Sequence, residues 1–448
     1  MEGMIIVTEG GINQGTPDYV TGASWRYNFK SRLIAIDPQH SDKSAEILTS
    51  DYFSARSPEV SYDGSHLLFA AQQKQNDPWQ IWEMALGSNE ARQVTNSSDN
   101  SIDPAYLPGG KIVFSRSLQN DSLKAGHTLF TCNLDGTDLR RITFNPHAYF
   151  ASSVLNDGRI IAISRQVYPT QGKSLIMVLR PDGTKAELFY NGVEGNEIYS
   201  RSWETDNGKI VFIEQEKEAS SRGNIIAINY NRPLHSRIDL SSSVPGDYQS
   251  VFPLKSGKML VSYRATDKEF YSLYEFDTEK MEIGKQVYRS TEGDIIEAVT
   301  INVHERPRKL PSEVDTGVKT GLLLCQNINV TGMKSPSVNY SLPAADRVEI
   351  IGLDSSLGVV KVEGDGSFYF KVAADMPFRI KTINAKGQVI NGPGSWYWLR
   401  PNERRGCVGC HEDNEIVPAN RYSLAVGKQP VAVPVHITGI LEKKVELE

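Results

Sequence analysis

A Gly-led strand pattern recurs through the first three hundred residues at a nearly fixed period, and that period restricts the fold more than any other feature of the chain. The pattern is a small or polar residue, Gly, a polar residue and then three or four apolar ones. It appears as DGSHLLFA from Asp63, GGKIVFSR from Gly109, DGRIIAIS from Asp157, NGKIVFIE from Asn207 and SGKMLVSY from Ser256. Gly64, Gly110, Gly158, Gly208 and Gly257 stand 46, 48, 50 and 49 positions apart. Each unit runs on into a second apolar strand, such as HTLFTCNLDG from His127 or GNIIAINY from Gly223. A period of about 40 to 50 residues holding about four strands is the mark of propeller blades. At the N-terminus, Gly3 to Val7 matches the Gly-led strand and SRLIAIDP from Ser31 the next, with no first strand before them. Residues 295–303 (IIEAVTINV) form a strand left over after the sixth unit. Pairing of that segment beside residues 4–8 would close six blades with strands from both chain ends and leave no open edge.

The rest of the composition agrees with an all-β chain. With 448 residues, one compact core of ordinary size is exceeded, and 36 Gly, 22 Pro and 19 Tyr among Val, Ile and Thr runs favour strands joined by tight turns. The formal charge of -6 is modest, and no Lys or Arg run could track phosphates, which argues against nucleic acid as a partner. No stretch approaches the roughly 18 apolar residues of a membrane-spanning helix. Paired carboxylates, a Ser/His/Asp arrangement and a phosphate loop are all lacking, so nothing points to hydrolysis or phosphoryl transfer. Histidines 40, 66, 127, 147, 235 and 304 are scattered over different units and read as surface or satisfied interior residues. Cys132 reads as a small buried apolar residue of a propeller strand. The insertion at residues 9–30 reads as a solvated loop over one end of the propeller channel, with binding of a ligand as the alternative.

Residues 304–319 (HERPRKLPSEVDTGVK) turn polar and read as a linker. The domain division expected is 1–310 for the propeller and 311–448 for a small β-sandwich-like domain. In the latter, GLLLCQNINV, RVEIIGLD, GVVKVEGDGSFYFKV, FRIKTINAKGQVI and VAVPVHITGILE are short alternating runs between turn residues. A mostly irregular segment, 391–428, carries the pentapeptide Cys407-Val408-Gly409-Cys410-His411. Two thiols three positions apart can each add to a haem vinyl group, and the adjoining imidazole then stands next to the iron. With only four cysteines and eight histidines in the chain, coincidence is a weak explanation. Zinc is the competing reading: Cys407, Cys410 and His411 would supply three ligands, and Cys325 or His436 the fourth.

The block SWYWLRPNERRGCVGCHE (395–412), within 364–421, resembles the middle domain of hydrazine synthase alpha subunits, and SPEVSYDG around Ser57 resembles a TolB-type propeller repeat. A propeller ahead of that domain is also the family's arrangement. The resemblance implies one covalent haem c on Cys407 and Cys410, with His411 at the iron or at a neighbouring zinc. In the family a tyrosine shortly after the motif ligates iron while the motif histidine turns to zinc. Here Glu412, Asp413, Asn414 and Glu415 follow His411, and the first tyrosine is Tyr422, eleven residues on. The family's enzyme also works in a complex with further haems, whereas this chain has a single CxxCH. Hydrazine synthesis is therefore not expected. The expectation is a c-type haem protein in redox or electron transfer, with a redox partner or further subunits; the alternative is a binding or scaffold protein with a structural zinc. Candidates for the other side of the iron are His436, Met376, Met333 and Tyr422. Trp396, Tyr397 and Trp398 could wall the porphyrin, and Arg404 and Arg405 could meet its propionates. Covalent attachment outside the cytoplasmic membrane implies a periplasmic or otherwise extracytoplasmic protein; because MEGMIIVTEGG has no signal-peptide pattern, the leader is expected upstream of Met1 in the gene.

Overall fold

All five repeat glycines adopt positive φ, from 70° at Gly64 to 89° at Gly158, a region that side-chain-bearing residues enter only at a cost. They form the tight turns between the first and second strands of successive blades, which is why the period is so regular. In this computed structural model, which describes residues 1–11, 18, 22, 25–27, 30–39, 45–216, 222–330, 344–409 and 422–434, contacts divide the chain into two units. The first comprises Met1–Ile142, His147–Pro181 and Ala186–Pro311. The second comprises Ser312–Glu448 with the short pieces Thr143–Pro146 and Asp182–Lys185.

The first unit is a six-bladed propeller of antiparallel sheets. Blade 2 shows the plan: Ser54–Val60, His66–Gln72, Gln80–Ala85 and Glu90–Gln93 lie in chain order. Second strands are apolar without alternation because both their faces are covered, as in Lys209–Glu216, where Ile210 to Ile213 are wholly buried. In blade 1, Asp294–Thr300 pairs with Ile5–Gly10, with Ile5 opposite Thr300 and Val7 opposite Ala298, so both chain ends share one sheet. First strands line the axis and carry bulges between Arg56 and Glu59, Ile102 and Ala105, and Phe150 and Ser153. At these bulges Ser57, Asp103 and Ala151 take φ of 54°, 54° and 52°. The turned-out groups link neighbouring blades: Ser57 N donates to Glu297 Oε1 at 2.9 Å, Ser57 Oγ to Asp103 Oδ1 at 3.0 Å, and Ala151 N to Asp103 Oδ2 at 2.7 Å.

Two sequence readings change here. The insertion at 9–30 is not simply a solvated loop: Trp25 and Arg26 are buried, Trp25 Nε1 donates to Tyr199 O at 2.8 Å, and Arg26 pairs with Asp103. The buried carboxylate draws the arginine inward, and the rings of Phe150 and Tyr199 receive the indole. Nor is the start of the 304–319 stretch a free linker. His304 N donates to Tyr62 O at 3.0 Å and Arg308 N to Asn156 O at 3.1 Å, so residues 303–311 run as a strap across several blades. The strap passes so near Gly158 that a Cβ there would lie 2.0 Å from Arg308 O.

The second unit is a sandwich of two four-stranded sheets. One has the order Arg404–Cys407, Thr320–Cys325, Phe368–Ala373, Val431–Val433; the other Ser356–Lys361, Ala345–Ile351, Arg379–Asn384, Val389–Asn391. Inward alternation puts Leu323, Cys325, Val348, Ile350, Phe368 and Phe370 into the shared core. The 391–428 segment is less irregular than its composition suggests. Arg404–Cys407 is an edge strand, parallel to Thr320–Cys325, and Leu424–Gly427 is a 3₁₀ turn.

Candidate functional site

The CxxCH motif begins at the end of that edge strand. Parallel register sets Cys407 beside Cys325 and Arg405 beside Leu323. The pairing continues into the motif, because Gln326 N donates to Cys407 O at 2.8 Å and Asn327 N to Val408 O at 3.1 Å. Gly409 lies so close to the chain at Val330 that a Cβ on it would stand 2.2 Å from Val330 O. The glycine in the motif's spacer therefore answers a steric demand of the turn that follows Thr320–Cys325.

Cys325 is 1% exposed and Cys407 half-buried. Both border a small, partly open hollow whose other walls include Leu323, Ile328, Phe368, Ile380 and Tyr397. Tyr397 is fixed there by reciprocal backbone bonds with Phe378, at 2.8 and 2.9 Å, and by stacking on the Phe378 ring. Trp396 is buried under the Arg379 guanidinium, 4.5 Å from its centroid, and Trp398 is 1% exposed. Of the three aromatics before the motif, Tyr397 alone lines the hollow.

The strand's approach is set by a residue that sequence reading passed over. Glu403, 1% exposed, accepts from Arg400 N at 2.8 Å and from Arg405 Nη2 at 2.6 Å, while its carbonyl accepts from Leu322 N at 2.8 Å. In the string NERR it reads as one member of a solvated charge run, and no local signal separates it. Arg405 is accordingly engaged with Glu403, whereas Arg404 points to solvent.

Of the other candidates, Met376 packs against the sandwich core and Tyr422 is 72% exposed. Cys410, His411, Met333 and His436 lie outside the described residues. Among the described residues no group of three or more His, Cys, Asp or Glu is arranged to hold a metal, and no helix is long and apolar enough to cross a membrane. Cys132 is wholly buried in blade 3, and burial pushes its thiol pKa up to about 11.

A six-bladed propeller joined to a β-sandwich whose edge strand leads into CxxCH defines the class of this protein. Residues 327–412 match the hydrazine synthase alpha subunit middle domain. The chain is thus a hydrazine synthase alpha-like protein. Hydrazine synthase subunit alpha of Kuenenia stuttgartiensis is 21% identical over 509 residues, which take in 85% of this chain and 62% of that protein; the chain spans under two thirds of this relative's length. The structure of Kuenenia stuttgartiensis hydrazine synthase shares the fold, with a TM-score of 0.81 at 20% identity over 95% of this chain and 72% of the other. TolB from Acinetobacter baumannii aligns over 66% of each chain at 14% identity and a TM-score of 0.47.

Proposed function

We propose that this protein carries one haem c, bound through Cys407 and Cys410, and serves as an extracytoplasmic redox or electron-transfer protein related to hydrazine synthase without its hydrazine-forming activity. The observation that carries this reading is the position of the half-buried Cys407 beside a small apolar recess: a thiol there can hold a large, mostly apolar ring against that surface. Leu323, Ile328, Phe368 and Ile380 would exclude water from one side of such a ring, and Tyr397 would offer an aromatic edge. Glu403 holds the strand that presents the first thiol, and Val330 limits how the spacer can turn toward the second. A bound haem iron would supply one-electron chemistry, with His411 as the expected axial ligand. Tyr422, Met376, Met333 and His436 stay as candidates for the other side. Action beside further subunits or a redox partner is supported by the relative, which is itself named as a subunit.

A second reading is favoured by one specific observation, the parallel pairing of Cys325 with Cys407. Two thiols at one end of adjacent strands suit a tetrahedral zinc, completed by Cys410 and His411. The two readings separate in one experiment. The chain is expressed with an export signal in a host competent for cytochrome c maturation, then measured by intact mass and elemental analysis. Haem predicts a mass increased by one haem, lost on replacing both motif cysteines by Ala and kept in Cys325→Ser. A chain at its bare mass with stoichiometric zinc, lost in Cys325→Ser, would establish the structural-metal reading instead.

A further inference from the structure

Around the propeller axis, three guanidinium groups, Arg26, Arg56 and Arg201, share one small hollow with the Glu297 carboxylate, walled by Trp25, Tyr199 and Trp203. All three arginine side chains are nearly inaccessible, at 5%, 2% and 4% exposure. Their countercharges are unequally placed. Arg26 is closed on Asp103. Arg56 donates to the carbonyls of Trp25 and Arg26, and the Glu297 carboxylate stands 3.9 Å from it while accepting from Ser57 N. Arg201 reaches Glu59 at 2.8 Å and Pro104 O at 3.1 Å, but its Nε–H is buried with no acceptor in reach.

The electrostatics have the same sense. Burial raises the Glu59 pKa to about 7, so at neutral pH this group gives Arg201 only part of a countercharge. Burial, and then the neighbouring Arg26, lower the Arg56 pKa to about 10, against the opposing pull of Glu297 and Asp103. A buried donor left without an acceptor is costly, and a water molecule could satisfy the Nε–H without supplying the missing charge. A small planar oxyanion supplies both, since its coplanar oxygens match the donor fork of a guanidinium.

We propose that this hollow in the propeller is a binding site for one small planar oxyanion of the carboxylate or nitrate type, held by Arg201 Nε–H and by the charge of Arg56. Trp25, Tyr199 and Trp203 limit the guest to a few heavy atoms. The site depends on no cofactor and belongs to the first unit alone.

Calorimetric titration of the full chain with sodium formate, at constant ionic strength against a chloride background, tests the proposal. Saturable binding of one formate per chain is expected. Arg201→Lys keeps the charge but removes the Nε–H, and should weaken binding at least about tenfold. Ser250→Asp sets a carboxylate into the same hollow without removing a charged group, and should abolish binding even if Arg201→Lys does not fold. Absence of saturable heat from the native chain up to about 10 mM formate overturns the proposal, as does unchanged affinity in either folded variant.

Discussion

His147 illustrates how much one buried group can do. It is 4% exposed, its Nδ1 is 2.9 Å from Ser164 Oγ, and its Nε2 has no partner. Burial lowers its pKa from 6.5 to about 3. Between those values the unfolded chain takes up a proton that the folded chain refuses. The stability contributed by neutral His147 is therefore complete above about pH 6.5 and drains away as pH falls toward 3, with a slope approaching 1.4 kcal/mol per pH unit. His147→Gln should flatten this part of the profile, read from denaturant midpoints at pH 7 and pH 5; an unchanged slope would assign the acid sensitivity to other groups. Glu403 gives a second prediction. Glu403→Ala leaves Arg405, whose side chain is 11% exposed, and the amide of Arg400 without their acceptor. A loss of about 3–5 kcal/mol is expected, as for one half of a buried pair. Chemical denaturation measures it, and a change below about 1 kcal/mol would deny Glu403 its part in holding the strand.

At the level of single elements, the sequence was readable where a local rule and the tertiary setting agree. Gly64 and its four counterparts were visible because turn geometry needs glycine wherever the blade recurs. The bulges at Ser57, Asp103 and Ala151 were not, since ordinary residues occupy a left-handed conformation there under the pull of hydrogen bonds from neighbouring blades. Arg404–Cys407 escaped notice for a related reason. RRGC has no apolar alternation, and its strand form comes from the partner strand Thr320–Cys325. Cys407 could be singled out from spacing alone, but its neighbour Cys325 lies 82 positions earlier and only strand register brings the two together. The central strand is tested by Leu323→Ala, which empties a wholly buried site and should cost about 2–5 kcal/mol in denaturation measurements. At the spacer, Gly409→Ala must displace Val330 or the motif itself. Covalent haem per chain, measured from absorbance against protein mass, should fall well below that of Val408→Ala, and equal loading would show that the close approach is immaterial.

For the molecule as a whole, the propeller has no independent first blade. Ile5–Gly10 lies between Asp294–Thr300 and Arg32–Ile36, and its Ile5, Ile6 and Val7 are buried on both faces. Deleting residues 1–10 should thus expose the edges of two strands and the packing faces of blades 2 and 6, not merely trim a terminus. Circular dichroism melting is expected to show loss of the cooperative propeller transition; retention of a native-like melt would mean that the ring tolerates an open blade.

The same closure sets a schedule for biosynthesis. Thr8 and Glu297, which hydrogen-bond across the seam, stand 289 positions apart. At about 5–20 residues per second, the earliest strand waits roughly 15–60 s for the partner that seals it. Throughout that interval one edge of the strand stays open although the other can pair with Arg32–Ile36, so its birth, more than its finished state, is where a chaperone has something to hold.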